Sequence, residues 1–268
     1  MTFIMNLIIK TFIETAYLTG VIILVGMLLG VLRNNSIRNF QRSFGSKALM
    51  VTGVIGVPIH ELSHATFALL FGHKITNIKL LQKPDKDGIM GYVQHSYNQS
   101  SIYQQIGNFF IGIAPIFGGV FSIIALMKFV IPQAYNEFIK ILFKSLQVTV
   151  LDKNTVEGII TSYRGLIKVI FSLENFQNPY YYLFLFAALC ISSHISLSSA
   201  DIKGASKGLG VLFLLLLILN ALNLSKYILS FNLIKYNILI TGFLIISVLL
   251  SIVTFLVSLI LNMINRNI

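Results

Sequence analysis

The chain has 268 residues, of which 56% are hydrophobic and only 11% charged, with a formal net charge of +11. Ordinary soluble domains carry about 25% charged residues, so this composition cannot build a water-facing surface and excludes a soluble globular protein. The 20 Lys and Arg are scattered through segments flanking apolar runs, which points to anionic lipid headgroups and excludes nucleic acid as a partner.

Six apolar runs are long enough to be read as spans, at about 11–32, 48–71, 106–131, 180–199, 208–224 and 237–263; roughly 20 residues cross a 30 Å hydrocarbon core. The expected fold is an all-α polytopic membrane protein, a single integral domain over 1–268 with about six transmembrane helices. The first run is read as a retained helix, since it is longer than a signal-peptide core and lacks a small-x-small cleavage site ahead of a soluble domain. Glu14, near its start, reads as an interfacial carboxylate. Residues 33–47 follow as a basic loop with four positive charges and no acidic ones.

The second run carries Pro58-Ile59-His60-Glu61-Leu62-Ser63-His64-Ala65. Histidines four residues apart on a helix project from one face, a spacing that suits tetrahedral Zn²⁺. Glu61 between them is placed to act on water at the metal rather than to ligate it. Ionisable groups at hydrocarbon depth are costly and usually mark function. Pro58 leaves the carbonyl of Val54 without its helical partner and predicts a kink.

Residues 73–104 are the most strand-like part of the chain. Partial alternation over 75–81, a Pro-Asp-Gly-rich turn over 83–88 and a return over 89–94 predict a short β-hairpin, whose edge could take an extended peptide. The third run is rich in small residues that allow close helix packing, and its Asn108 either points into the site or makes a packing hydrogen bond. Apolar residues recur at helical spacing through 133–178, opposite charged ones, and predict two interfacial amphipathic helices. The final run has no ionisable residue near 241–261 and reads as packing or anchoring. Cys190, the one cysteine, excludes a disulfide framework and a Cys-based zinc site.

A catalytic zinc usually has three protein ligands and an open position. The third span returns across the membrane and the fourth crosses again, so His194 and Asp201 arrive on the same side as His60 and His64. Residues 180–224 must cross twice, which leaves about five residues for a turn; the polar stretch 192–207 therefore dips below the headgroups, into protein or a water-filled cavity. Asp201 leads as third ligand, with His194 the alternative and His95 or His73 behind it. Asp201 also suits an N-terminal helix cap.

These residues resemble the site-2 protease family of intramembrane zinc metalloproteases: His60-Glu61-x-x-His64 within a span, a hairpin-like loop after it, and a later Asp motif at the start of another span, over about 50–210. The later motif here is Ala200-Asp201-Ile202-Lys203-Gly204, where the family commonly has Leu-Asp-Gly, which marks a divergent member. The resemblance implies a protease core at 48–210, zinc on His60, His64 and Asp201, and Glu61 as general base and acid. It also implies membrane-protein or peptide substrates cleaved in transmembrane or membrane-proximal segments, and a multi-pass protein of a bacterial-type cell membrane. The rival reading is a non-enzymatic transporter or partner-binding protein whose His, Glu and Asp line a polar pathway.

Overall fold

A computed structural model describes residues 2–45, 48–85, 88–146, 153–225 and 232–266. The middle of the expected 83–88 turn, the end of the expected 33–47 loop and the linker at 147–152 lie outside the described residues. In chain order the elements are α1 (Thr2–Phe44), α2 (Ala48–Leu70), β1 (Lys74–Lys79), β2 (Tyr92–Ser96), α3 (Ile102–Val130), α4 (Pro132–Ser145), α5 (Lys153–Ile170), α6 (Leu173–Gln177), α7 (Pro179–Ser192), α8 (Ser199–Ala221) and α9 (Leu233–Arg266).

Four of the helices, α1, α3, α8 and α9, are long and apolar enough to cross a membrane, which is the composition of an integral membrane protein. The other two expected spans fall short for different reasons. Helix α2 is long enough, but His60, Glu61 and His64 dilute its hydropathy. Helix α7 has only 14 residues, about 21 Å at 1.5 Å per residue, because the chain leaves the helix at Ser193 rather than at 199.

Helix α1 continues to Phe44, through residues expected to form a loop. Nothing between 33 and 44 is Pro or Gly, and the far end is held by α9: Asn39 Nδ2 donates to Ser258 Oγ (3.1 Å) and Asn265 Nδ2 to the Ser43 carbonyl (2.8 Å). The helix stops at Gly45, which sits at φ +71° and donates its amide to the Gln41 carbonyl, a left-handed ending that favours glycine. Near the other end, Asn220 of α8 donates to Glu14 Oε2 (2.6 Å), with Lys10 3.8 Å from the same carboxylate.

The hairpin is antiparallel, with Ile78 opposite Val93 and a bulge between Ile75 and Asn77. Its second strand begins at Tyr92, not at 89. Residues 89–91 are drawn beneath α2 instead, where Met90 is buried with Leu49 and Val57. Gly91 permits this: a Cβ there would lie 2.7 Å from Val57 and 2.8 Å from Glu61.

Helix α3 is the central post, packed against α2, α7 and α8, with Gly107 to Phe109 and Ile111 to Ile116 buried. The apolar stripes of α4 and α5 are covered by protein: Phe138, Leu142, Leu166 and Ile170 are fully buried in one core with Leu244 and Leu250 of α9. Tyr163 adds a hydrogen bond to the Ile238 carbonyl at 3.0 Å.

Candidate metal centre

His60, Glu61 and His64 occupy one turn of α2, next to a cavity of about 600 Å³ bounded by α1, α2, α3, β2 and the start of α8. His60 Nδ1 lies 2.6 Å from the carbonyl of His194, and His64 Nδ1 lies 2.8 Å from the carbonyl of Ile111. A carbonyl oxygen only accepts, so each Nδ1 carries the proton and donates it. Both neutral rings then turn an Nε2 lone pair inward, and the two Nε2 atoms are 3.1 Å apart. A shared proton or a metal ion between them satisfies both nitrogens at that distance.

The two carbonyls are available for identifiable reasons. Ile111 would normally accept from the amide four residues later in α3, but that residue is Pro115, which has no N–H. His194 lies beyond the end of α7, where carbonyls have no helical partner. Orientation of a ligating imidazole by a bond from its other nitrogen is the usual second layer of a metal site.

Asp201 completes the group. Its Oδ1 is 3.2 Å from His64 Nε2 and its Oδ2 3.9 Å from His60 Nε2. It is also the third residue of a capping box: Ser198 Oγ accepts from the Asp201 amide (3.1 Å), and Asp201 Oδ2 accepts from the Ser198 amide (2.7 Å). The cap reading and the ligand reading of this residue are thus compatible, since the cap fixes the carboxylate's rotamer. Close packing of α8 on α3 brings it there. A Cβ on Gly112 would lie 2.6 Å from the Asp201 carbonyl and 2.8 Å from Ala205, so only glycine lets the helices meet at this depth.

His60, His64 and Asp201 can hold a metal ion: one ligand atom from each lies within 4.8 Å of the others. Ligand atoms on a tetrahedral zinc with bonds of about 2.0–2.1 Å sit about 3.3 Å apart. The 3.1 Å between the two Nε2 atoms and the 3.2 Å from His64 Nε2 to Asp201 Oδ1 match that spacing, while His60 Nε2 is 3.9 Å from the other carboxylate oxygen, Oδ2. Two nitrogens and one carboxylate oxygen form a donor set that suits Zn²⁺.

Other expected site residues are placed differently. Glu61 is buried and borders the cavity but is not one of the three converging groups. His194 borders the cavity, but its Nε2 lies 3.2 Å from Thr52 Oγ1 and its ring is not among the three converging groups, whereas its carbonyl meets His60 Nδ1. The turn after α7 directs the backbone of His194, rather than its ring, at His60. His95 borders the cavity on β2 and pairs with His73, Nδ1 to Nδ1 at 2.9 Å. His73 Nε2 donates to the Gln104 carbonyl at 2.8 Å; His73 Nδ1 therefore accepts, and His95 donates. Burial first, then His73 and His64, hold His95 below the ordinary histidine value. Asn108 borders the cavity, and its amide donates to the Gln105 carbonyl at 3.3 Å within α3 itself, not to a neighbouring helix.

Two contributors escaped the sequence reading. Pro115 was visible as a proline four residues after Ile111, a signal that a carbonyl is free. Arg33 was counted among loop charges, yet on α1 it reaches the cavity. No protein-family model, curated protein or solved structure matches this chain.

Proposed function

We propose that this protein is a multi-pass zinc metalloprotease of a bacterial-type cell membrane, a divergent relative of the site-2 proteases, which hydrolyses peptide bonds in transmembrane or membrane-proximal segments. The observation that carries the reading is the pair of imidazole Nε2 atoms facing each other beside the Asp201 carboxylate, with Glu61 against the same cavity. A transporter pathway does not need both Nδ1 protons locked away from the lumen; a metal site does.

Zinc held by His60, His64 and Asp201 would supply a Lewis acid that acidifies water and polarises a carbonyl. Glu61 takes the proton of the attacking water and delivers it to the leaving amine. Its confinement between α2 and the Gly91 backbone restricts its rotamers, so the carboxylate is held ready for both transfers. The β1–β2 hairpin borders the cavity, and an extended substrate segment lies along it, adding backbone hydrogen bonds at a strand edge.

The test is metal content and cleavage in two variants. Glu61→Gln keeps one zinc per chain and loses turnover, whereas His64→Ala loses both. Full turnover by Glu61→Gln, or wild-type protein that binds no metal, refutes the proposal.

A further inference from the structure

Arg33 projects from α1 into the same cavity as His60, His64 and Asp201. Its Nε is buried and has no hydrogen-bond partner. Among the described residues no carboxylate comes within ion-pairing distance of it. Asp201 attracts it electrostatically, but that carboxylate is already engaged by His64 and the Ser198 amide. Arg33 is half-buried, and a buried guanidinium N–H with no acceptor is expensive, so it is retained where something else supplies the acceptor.

Charge counting leads the same way. A divalent cation and Arg33 bring three positive charges to the cavity, while Glu61 and Asp201 bring at most two negative ones. The loaded site is short of at least one negative charge. A guanidinium presents a planar fork of donors that matches a carboxylate.

We propose that Arg33 anchors a carboxylate of the substrate, so that the peptides accepted here carry one, either as a free chain terminus or as an acidic side chain, beside the bond to be cut. This rests on the protease reading for its substrate, but the geometry of the anchor is independent of turnover. The carboxylate would lie on the α1 wall of the cavity, so it also sets which way the peptide runs past the metal centre.

The experiment measures binding in the zinc-loaded Glu61→Gln protein. Its probes are short hydrophobic synthetic peptides in matched pairs: free terminus against carboxamide terminus, and one internal Glu against Gln. One of the two pairs is expected to favour the carboxylate by roughly ten- to a hundredfold, and which pair does so identifies its source. Adding Arg33→Gln brings that ratio to about one. Arg33→Lys, which keeps the charge but not the fork, gives an intermediate ratio and covers the case in which Arg33→Gln does not fold; zinc content monitors folding in each. Equal binding within both pairs, or a carboxylate preference that survives Arg33→Gln and Arg33→Lys, overturns the proposal. So does Arg33-dependent thermal stabilisation by phosphatidylglycerol micelles with no peptide preference, since the anchor would then hold a lipid phosphate. Wild-type protein that cleaves these peptides without regard to their carboxylates sinks the anchor alone. Arg33-dependent binding with no cleavage by the wild type sinks the protease reading alone.

Discussion

Replacing Gly112 by Ala tests how Asp201 is positioned, and the expected size of the effect follows from distances. The new Cβ would stand 2.6 Å from the Asp201 carbonyl, 2.8 Å from the Ala205 Cβ and 3.0 Å from the Ala205 nitrogen, where ordinary contact begins at 3.4 Å. Two of these three neighbours are backbone atoms inside α8, so no side chain can rotate away. The first turn of α8 must retreat by about 0.8 Å, the difference between 3.4 and 2.6 Å, whereas metal-ligand distances tolerate only about ±0.2 Å. The overpacking costs about 1–3 kcal/mol, partly offset by the ~1 kcal/mol that Ala gains over Gly in a helix. Zinc affinity should fall by roughly 10- to 100-fold, the range seen when the support of a ligand is disturbed. Competition of purified protein against a chromogenic chelator reads this directly. Gly210→Ala is the control: it lies on α8, the helix that carries Asp201, with nothing within 4 Å, so it should leave affinity unchanged and be neutral or slightly stabilising. If Gly112→Ala binds zinc as tightly as Gly210→Ala does, the close approach of α3 and α8 does not position Asp201, and the reasoning fails.

Three further substitutions separate the roles within the centre. Asp201→Asn removes the ligand charge but leaves an acceptor for the Ser198 amide; metal content should collapse while the melting temperature of the metal-free protein changes by only a few degrees, since a cap contributes about 1 kcal/mol. His194→Gln should keep one metal per chain with affinity within about tenfold, because the carbonyl at 194, not the ring, holds His60; loss of the metal in this variant would return the ring to the list of ligands. Pro115→Ala restores an amide to Ile111 inside α3, so the melting temperature of the metal-free protein should rise while zinc affinity falls about tenfold as His64 loses its acceptor. A fall in both would mean Pro115 is needed for packing, and an unchanged affinity would mean the Ile111 carbonyl is not what orients His64.

The parts of the site that were legible in the sequence are those set by spacing. A four-residue step places two imidazoles on one helical face wherever the helix lies, and Ser198-x-x-Asp201 is the pattern of a helix start. The crossing argument put Asp201 on the side of His60 and His64, and the structure brings the three together. What was not legible depends on where the chain leaves a helix. Residues 33–44 look like a loop by composition; they stay helical because α9 supplies partners for Asn39 and Ser43, and no local signal announces a partner some 220 residues away. The same continuation carries Arg33 to the cavity, which is why it was read as a headgroup contact. For His194, composition cannot tell whether ring or carbonyl faces inward, because that depends on the backbone turn after Ser192.

The centre is assembled where helices are imperfect. Regular helices consume their own carbonyls and amides, so two intact spans can offer each other only side chains. Here a proline in α3 frees the Ile111 carbonyl, the end of α7 frees the carbonyl of His194, and the start of α8 uses an acidic residue to close its own first turn. Each defect would be costly against lipid, where an unpaired backbone group has no water to turn to. Gathered around one cavity, the two freed carbonyls accept from Nδ1 atoms, and the helix cap presents its carboxylate to the opposing Nε2 atoms. The backbone therefore orients both imidazoles, turning their Nε2 atoms toward the Asp201 carboxylate, where a metal ion can be held.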